Sequence, residues 1–444
     1  MNKENWKYLS IGDCATVVGG GTPSTKNPEY WDGDISWISP KDLSKNTNKY
    51  ISRGERFITK KGLENSSAKI LPENSLLFSS RAPIGYLAIN TQPMATNQGF
   101  KSLILKDEFD VEFFYYLFKQ KTEYIKNFSS GSTFQEISGS EVKNFKFLIP
   151  PYKEQKQISK ILSKLDKKIE LNQKMNATLE EITKTLFKSW YIDFDPVRAK
   201  AEGRPTGLSK EISDLFPDSF EDSELGEIPK GWKVRSLGDF YAVNKGLSYK
   251  GKFLTEHGMP MINLGCFGGN GIFLKEKIKP YSGEFKKRHI ISKGDIAIAN
   301  TDMTQNRITL GSPIMVDEID GNSDFLFTHH VFCLKNISER EDLKYFTYQT
   351  LLNRRFRSIA GNYATGTTVL ALPKDVIENF QVALPSKQIL NAFNEIAGLN
   401  FKKSKINYEE SIILGDLRDK LLPKLISGEL KIPDAENLDE EAGI

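Results

Sequence analysis

Acidic pairs and a glycine-rich stretch are the segments whose residue types could support catalysis. Pro217 and Asp218, taken with the distant Glu284 and Lys286, come nearest to the PD…ExK set of metal-dependent nucleases, but such short matches arise by chance. The glycine-rich residues 19–25 could aim backbone N–H groups at phosphate, yet no GK[ST] follows them, so a turn is favoured. A methyltransferase NPP or DPP turn and an ATP-binding GxxxxGK[ST] are also missing from the sequence. The sequence therefore favours binding over catalysis.

The histidines are the next candidates for chemistry. The sequence has four of them, His257, His289, His329 and His330. A zinc site usually needs a pair four residues apart on a helix, or accompanying carboxylates, and neither pattern is present. His329 and His330 lie in the run FTHHVF, which predicts a strand with the two rings on opposite faces. One ring would then be buried or half-buried, and the other could hydrogen-bond a DNA base.

The cysteines and one aspartate pair are expected to be structural. Cys14, Cys266 and Cys333 lie far apart and are odd in number, which argues against a disulfide framework or a CxxC metal site. We expect buried free thiols. Asp193 and Asp195 stand beside a proline at the end of a predicted helix, where a turn or a cap is the ordinary role of aspartate. No metal site is predicted in this chain.

Composition indicates a globular protein of about two domains. The chain has 444 residues, 39% of them hydrophobic, with a formal net charge of +4. This charge permits nucleic-acid binding without requiring it, and acidic residues concentrate in residues 211–227 and 434–441. The N-terminus lacks the apolar core of a secretion signal, and no apolar run is long enough to span a membrane. We therefore expect a cytoplasmic protein with no membrane partner.

The chain contains two copies of one unit. WKYLSIGD at Trp6 corresponds to WKVRSLGD at Trp232, an offset of 226 residues. SGSTFQEISGSEVKNFKFLIP at Ser130 corresponds to TGTTVLALPKDVIENFQVALP at Thr365, an offset of 235 residues that continues into the following helical segment. Each copy is thus a globular domain followed by a helix.

We predict an α+β fold in which two pseudo-repeated mixed α/β domains are separated by an antiparallel two-helix coiled coil. Short apolar runs between Gly, Pro and Asn clusters predict strands, and apolar residues three or four apart predict two long helices. The predicted segments are a first domain at 1–151, a first helix at 152–192, an acidic linker at 193–230, a second domain at 231–386, a second helix at 387–430 and an acidic tail at 431–444.

The apolar stripes of the two helices are expected to face each other. Their spacing of about 3.5 residues is typical of coiled coils. If the linker keeps the second domain near the end of the first helix, the second helix must return antiparallel, with the domains at opposite ends of the pair. The alternative is that each helix packs on its own domain. The residues predicted to pack within this spacer or against partners are Ile158, Leu165, Ile169, Leu179, Ile182, Leu186, Phe393, Ile396, Ile413, Leu417 and Leu421.

Five strings of residues resemble the specificity subunits of Type I restriction-modification systems. They begin at Gly19, Asn97, Leu186, Gly246 and Leu417, and they read GGGTPSTKNPEYWDGDISWISPKDL, NQGFKSL, LFKSWYIDFDPV, GLSYKG and LRDKLLPKLISGEL. Together they extend over nearly the whole chain, in family order, on a duplicated domain and helix framework. The likeness is therefore to the whole subunit.

The resemblance implies a function and partners. In that family each half is a target recognition domain that contacts one part of a split, asymmetric sequence in double-stranded DNA, and the paired helices are the spacer. Two methyltransferase subunits use S-adenosylmethionine to methylate adenine at N6, and two restriction and translocase subunits use ATP and Mg²⁺. The chain itself is expected to be non-catalytic and to bind no cofactor. A stiff spacer would fix the distance between the two half-sites.

Base-reading loops vary too much in this family to be assigned by motif, so the predicted DNA contacts are polar loop residues near the matched strings. Lys and Arg suit phosphates, whereas Ser, Thr, Asn, Gln and His suit base edges. An ordinary solvated surface is the alternative. The predicted contacts are Lys41, Lys60, Ser80, Arg81, Asn97 and Gln98 in the first domain, and Lys250, Asn300, Thr301, Arg307, His329 and His330 in the second.

Three other functions stay open from sequence alone. The same domains could serve another restriction or phage-defence methyltransferase system with a different nuclease. The chain could also be an enzyme with an unrecognised active site, which cleavage or methyl transfer by the purified chain would reveal. Lastly, the domains could bind proteins on a helical scaffold, which sequence-selective DNA binding by the assembled complex would exclude.

Overall fold

The structure, a computed structural model, describes residues 5–46, 48–129, 135–269, 271–302, 308–319, 321–366 and 369–430. The chain divides into unit 1, which is residues 1–176 with 406–444, and unit 2, which is residues 177–405. Each unit holds one globular domain and a part of both long helices. Within the described ranges, no helix is both long and apolar enough to cross a membrane.

Unit 1 is built mainly from short strands, with one amphipathic helix before the last strand. Its strands are β1 (Lys7–Ser10), β2 (Ala15–Gly19), β3 (Trp31–Ile38), β4 (Tyr50–Ile51), β5 (Arg56–Ile58), β6 (Leu76–Phe78), β7 (Leu87–Asn90), β8 (Ala95–Thr96), β9 (Lys101–Leu105) and β10 (Lys146–Ile149). Its helices are α1 (Ile11–Cys14), α2 (Pro40–Lys45), α3 (Lys60–Glu64), α4 (Val111–Lys126), α5 (Gly139–Asn144) and the first part of α6 (Tyr152–Tyr191).

The described strands of unit 1 form a mixed five-stranded sheet, a three-stranded sheet and a ribbon. Their orders are β2-β9-β6-β7-β4, β5-β3-β8 and β1-β10. The ribbon pairs Lys7 with Ile149, so the strings that mark the two ends of the first repeat are hydrogen-bonded to each other. Trp6 also donates a 2.9 Å hydrogen bond to Glu154 on α6. The repeat thus closes on itself just before the long helix begins.

Helix α4 fills the core of unit 1 and ties it to α6. Phe113, Phe114 and Phe118 are fully buried, because the apolar face of α4 lies under the sheet. The Asp110 carboxylate caps the start of α4 by accepting from the Phe113 N–H at 3.2 Å. It also accepts from the Ser159 hydroxyl on α6 at 2.5 Å. One buried carboxylate therefore holds two helices in a fixed orientation.

Unit 2 repeats this plan with additional elements. Its helices are the end of α6, α7 (Asp195–Ala201), α8 (Lys210–Ser213), α9 (Lys344–Leu352), α10 (Arg354–Asn362), α11 (Lys374–Glu378) and the first part of α12 (Lys387–Ser427). Its strands are β11 (Phe220–Ser223), β12 (Gly226–Pro229), β13 (Lys233–Ser236), β14 (Tyr241–Lys245), β15 (Leu254–Ile262), β16 (Lys279–Tyr281), β17 (Ile290–Ser292), β18 (Ile296–Ala299), β19 (Thr301–Asp302), β20 (Pro313–Met315), β21 (Asp324–Phe327), β22 (Val331–Asn336), β23 (Leu370–Ala371) and β24 (Gln381–Leu384).

The sheets of unit 2 follow those of unit 1. The described strands form sheets of order β14-β22-β18-β20 and β16-β15-β21-β17, with the pairs β13-β24, β19-β23 and β11-β12. The β13-β24 ribbon corresponds to β1-β10, and the parallel pairing of β15 with β21 corresponds to that of β3 with β8. The predicted duplication is therefore present in the strand topology as well as in the sequence.

Residues 193–230 are folded, and the prediction of an acidic linker is wrong. Phe194, Val197, Phe216 and Ile228 are buried in the same apolar cluster as Trp190. Each such side chain contributes about 1.5 to 3 kcal/mol when it leaves water, which outweighs the preference of the neighbouring acids for solvent. The segment forms α7, α8 and the β11-β12 hairpin, all within unit 2.

The cysteines and the aspartate pair have the structural roles that the sequence predicted. All three cysteines are buried free thiols, and burial raises the pKa of Cys266 to about 11 and that of Cys14 to about 12. Asp193 lies in the turn after α6, where its backbone carbonyl accepts from Arg198 at 2.9 Å. Asp195 is the first residue of α7.

Helices α6 and α12 run antiparallel to each other within each unit. Residue numbers rise along α6 while those of the contacting residues on α12 fall, and polar side chains make several of these contacts. The contacting pairs are Asp166 with Arg418, Asn172 with Glu410 and Asn176 with Asn407 in unit 1, and Thr183 with Asn400 and Phe187 with Phe393 in unit 2.

The contact between the helices departs from the predicted apolar stripe at one residue on each helix. Ile182 and Ile413 are 48% and 65% exposed, and the next residues, Thr183 and Leu414, are buried instead. The buried residues keep the heptad register, because Thr183 is 21 residues after the buried Leu162 and Leu414 is seven residues before the buried Leu421, whereas Ile182 and Ile413 lie one residue off these positions. This corrects the prediction that Ile182 and Ile413 pack between the helices. Of the other predicted packing residues, Ile158, Leu165, Phe393 and Leu421 are buried, and Ile169, Leu179, Leu186, Ile396 and Leu417 are half-buried.

Removing the Arg418 guanidinium is expected to destabilise unit 1. The Arg418 and Asp166 side chains are 18% and 19% exposed and pair at 2.8 Å, and Asp166 also accepts from Tyr116 at 2.5 Å. Arg418→Ala leaves this carboxylate without its cation, so the free energy of unfolding should fall by about 1 to 3 kcal/mol. Urea unfolding measures the change, with Lys420→Ala at an exposed position as the control. Equal midpoints for the two variants would contradict the expectation.

Candidate DNA-binding site

A wide cleft, lined by charged and amide side chains beside apolar ones, lies at the ends of several strands in unit 1. Its volume is about 1070 Å³, and its lining includes Lys41, Arg81, Asn97, Lys126 and Glu136. These residues come from the start of α2, the turns after β6 and β8, the end of α4 and the segment before α5. Cations beside amide groups suit a ligand that presents both phosphates and base edges. The cleft is therefore the candidate DNA-binding site of unit 1.

Caps and turns hold the loops of the cleft. The Ser39 N–H donates to Asp42 at 2.8 Å, which caps α2 and sets Lys41 in its first turn. Asn97 follows β8, and its side-chain oxygen accepts from the Gly99 N–H at 2.8 Å. The amide NH₂ of Asn97 then remains as its donor toward the cleft.

A shared carboxylate organises two cations in the cleft. Glu136 lies 3.4 Å from the Arg81 guanidinium through one oxygen and 3.2 Å from the Lys101 ammonium through the other. Arg81 and Glu136 also form an antiparallel backbone bridge. Arg81 is thus held by Glu136 at its backbone and at its guanidinium.

Four of the six predicted contacts of the first domain lie at or beside the cleft. Lys41, Arg81 and Asn97 line it, and Gln98 is exposed next to Asn97, where its side chain accepts a hydrogen bond from Thr22. The sequence could indicate these residues because each belongs to a polar turn that directly follows an apolar strand or caps a helix. Their convergence is visible only in the fold.

Two predicted contacts of the first domain lie elsewhere. Ser80 is fully buried, and its hydroxyl donates to the Gly99 carbonyl at 3.2 Å, so the prediction that it touches DNA is wrong. Lys60 is exposed in the first turn of α3, 3.9 Å from Glu64, and is not among the described residues that line the cleft.

Two charged residues of the cleft were missed from sequence. Lys126 is the last residue of α4, and Glu136 is separated from Arg81 by 55 positions along the chain. Neither lies in a motif, since Lys126 looks like an ordinary basic residue at a helix C-terminus. No sequence signal could have joined them to Arg81, because Glu136 meets it through a backbone bridge and Lys126 reaches the same cleft at the end of α4.

In both units a glycine packs directly against a backbone carbonyl oxygen of a neighbouring turn. A Cβ atom on Gly20 would lie 2.0 Å from the Asn97 carbonyl oxygen, and one on Gly246 would lie 2.3 Å from the Thr328 carbonyl oxygen. Only glycine fits at these two positions, since real Cβ atoms do not approach oxygen so closely. This requirement explains part of the glycine-rich string at residues 19–25 without a phosphate ligand.

One pair of equivalent backbone hydrogen bonds establishes which residues correspond between the two units. The Ser80 N–H donates to the Gly99 carbonyl at 2.8 Å, and the Asn300 N–H donates to the His330 carbonyl at 3.0 Å. Ser80 therefore corresponds to Asn300, and Gly99 corresponds to His330. Ser80 and Asn300, which were predicted as DNA contacts separately in the two halves of the sequence, thus occupy equivalent positions in the fold.

Two of the predicted contacts in the second domain are buried. Asn300 is 4% exposed, and its amide donates to the His329 carbonyl at 3.0 Å. Thr301 is also buried, and its hydroxyl lies 3.0 Å from Nδ1 of His330. Because both side chains are buried, the prediction that they contact DNA directly is wrong. They position the two histidines.

The histidine pair is arranged differently from the prediction. His329 and His330 lie in a turn after β21, both half-buried, with ring centroids 3.9 Å apart. The expectation of opposite faces on a strand is therefore wrong. Burial, with the neighbouring His329 and Lys245, lowers the pKa of His330, so its ring is neutral near pH 7. A neutral imidazole with Nδ1 at Thr301 can present Nε2 to a base edge.

The remaining predicted contacts of the second domain are basic residues. Lys250 is exposed just before a short 3₁₀ turn at Gly251–Phe253. Arg307 lies outside the residues that the structure describes. The histidines and Lys250 remain predicted DNA contacts.

A methyl group at Gly20 is expected to disrupt the site, whereas one at Gly19 is not. The added Cβ at Gly20 would clash with backbone oxygens, while the nearest described atoms are more than 4 Å from a Cβ at Gly19. Gly20→Ala should lower the free energy of unfolding by about 1 to 3 kcal/mol, and Gly19→Ala should cost less than about 1 kcal/mol. Thermal unfolding of both variants measures this. A smaller effect at Gly20 than at Gly19 would contradict the close approach.

Comparison with known protein families agrees with this duplicated architecture. The family model described as "Type I restriction modification DNA specificity domain" matches twice, at residues 3–181 and 229–412. The two matches begin and end close to the two repeats, so each repeat is one copy of that domain.

Relatives and a solved structure match almost the whole chain. The specificity subunit of the Type I restriction enzyme MjaIX from Methanocaldococcus jannaschii is 35% identical, over 97% of this chain and 95% of its own length. That of HindI from Haemophilus influenzae is 24% identical, over 96% and 100%. The crystal structure of the Type I S subunit from M. genitalium has the same fold, with a TM-score of 0.55, 19% identity and coverage of 96% and 97%. The chain therefore belongs to the family of Type I restriction-modification specificity subunits.

Proposed function

We propose that the chain is the DNA-recognition subunit of a Type I restriction-modification complex and that each unit reads one half of a bipartite target. The observation that carries this proposal is the duplicated site, in which Gly20 and Gly246 allow the same close approach behind a set of polar turns. The chain has a specificity role and is not itself catalytic, which agrees with its family.

The two units are proposed to read different sequences. At equivalent positions, unit 1 has Gly99 and unit 2 has His330, and the residues that follow Ser80 and Asn300 are Arg81 and Thr301. Arginine and histidine present different hydrogen-bonding groups to base edges. Two unlike sites on one chain would make the DNA target asymmetric.

The paired helices are proposed to set the separation of the half-sites and to bind partner subunits. The partners would be two methyltransferase subunits with S-adenosylmethionine and two restriction subunits with ATP and Mg²⁺. Part of the support is apolar surface on α12 in unit 1, where Ile406, Ile412 and Ile413 are 47%, 48% and 65% exposed. Exposed isoleucines on one helix are costly in water, and surfaces of this kind are typical of sites that bind other proteins.

Selection of bound DNA from a random duplex library tests the proposal. The assembled complex should enrich fragments with two specified blocks that flank a stretch of fixed length and free sequence. A single continuous block would contradict two reading units on one chain. Enrichment without any sequence preference would contradict a specificity role altogether. Binding should also weaken as salt rises, because phosphate contacts release counterions.

A further inference from the structure

We propose that Arg81 reads a guanine in the half-site contacted by unit 1 and that Glu136 is the positioning residue that orients the Arg81 guanidinium for this contact. The inference rests on the proposed function, since it requires DNA in the cleft of unit 1. It adds the base that is recognised and the residue that recognises it. A guanidinium donates two parallel hydrogen bonds to O6 and N7 of guanine, the most common specific contact to a base.

Arg81 is the cation of the Glu136 pair that faces the cleft. Its side chain is 33% exposed, whereas the Lys101 side chain is 16% exposed and lies behind it on β9. Glu136 meets one terminal nitrogen of Arg81 at 3.4 Å. Because a guanidinium has five N–H groups, the others are left to a ligand in the cleft.

The surroundings of Arg81 restrict its conformations in advance. Its backbone pairs with that of Glu136, and a Cβ on Gly99 would lie 3.4 Å from Arg81 Cγ, so the side chain runs closely over this glycine. Base reading needs a planar donor set held in one orientation, whereas a phosphate contact tolerates a mobile charge. Lys41, which lines the same cleft with 71% of its side chain exposed, has the properties of a phosphate contact.

At the equivalent positions unit 2 has a different pair of residues, which supplies an internal control. Thr301 occupies the position of Arg81, and Ala371, which pairs with Thr301, occupies the position of Glu136. The Thr301 and Ala371 side chains cannot form an ion pair. A change at Arg81 or Glu136 should therefore alter only the half-site read by unit 1.

The test compares Arg81→Lys with the unaltered chain in the assembled complex. Once the target is known, dissociation constants are measured at one salt concentration for duplexes in which each base pair is changed in turn. In the unaltered complex, changing one G·C pair of the unit 1 half-site should weaken binding by about 5-fold to about 100-fold. Arg81→Lys keeps the positive charge and loses the two parallel N–H donors of the guanidinium. With this variant that penalty should fall below about 3-fold, while the unit 2 half-site is unaffected.

Two further variants separate the roles of Arg81, Glu136 and Lys41. Glu136→Gln should reduce the penalty at the same G·C pair and steepen the salt dependence, because two cations lose their anion. Lys41→Met should weaken binding to all sequences alike. If Arg81→Lys retains full discrimination at every position, or loses affinity equally for all duplexes, Arg81 does not read a base. If the unaltered complex has no sequence preference, the proposed function itself fails instead.

Discussion

Replacing Ile406 and Ile413 together with glutamate is expected to prevent the chain from co-purifying with its methyltransferase subunits. Both residues lie on α12 in unit 1, seven positions apart and hence on one face of the helix, and they are 47% and 65% exposed. Burying one isoleucine in an interface contributes about 1.5 to 3 kcal/mol. Loss of two isoleucines should therefore weaken binding by at least about 100-fold, before the cost of burying two carboxylates is counted.

The same double variant should keep its fold, which separates partner binding from stability. Neither side chain lies in a buried core, so the thermal midpoint should stay within about 2 °C of that of the unaltered chain. Lys420→Glu, also exposed on α12, is the matched control and should co-purify normally. Undiminished co-purification of the double variant would show that the partners bind elsewhere.

Inserting four residues into each paired helix is expected to lengthen the DNA target. With the insertions placed after Asn172 on α6 and after Asn407 on α12, the pair of Asn172 with Glu410 and the pair of Asn176 with Asn407 can still form, one on each side of the insertions. Four helical residues add about 6 Å, which corresponds to roughly two base pairs. The undefined stretch between the half-sites should grow by that amount while both half-sites keep their sequences. The enriched or methylated target sequences measure this spacing.

An insertion in α6 alone is the control for the spacing experiment. It moves Asn172 and Asn176 apart while Glu410 and Asn407 keep their spacing, so the two polar pairs that fix the helix register cannot form together. Such a variant should lose stability and not gain a new spacing. An unchanged target from the double insertion would contradict the proposal that the helices set the separation.

Much of the fold could be predicted from the sequence because it depends on the internal repeat and on the spacing of apolar residues, and both are visible in the sequence. The repeat is visible at Trp6 and Trp232, since the strands that follow these residues close the two ribbons. The long helices are visible because their apolar residues recur at helical spacing. Ile182 and Ile413 were misplaced because the predicted stripe followed apolar residues, whereas the helix contact keeps its heptad register through buried residues that include the polar Thr183.

The candidate site could be predicted only in part, because it is assembled from distant turns. Arg81 and Asn97 were found from their place after apolar strands. Glu136 and Lys126 reach the cleft through a backbone bridge and a helix end that the sequence does not mark. Asn300 is of a residue type that often contacts DNA bases, but its side-chain amide donates to the His329 carbonyl and holds that turn.

The most direct test of the central claim is to map N6-methyladenine in DNA from cells that express the chain with its partner subunits. Two different reading units on one chain predict a methylated motif with two unlike specified parts at a fixed separation. In addition, substituting His329 and His330 with alanine should change one part only. A continuous motif, or a change in both parts from a substitution in one unit, would contradict the account.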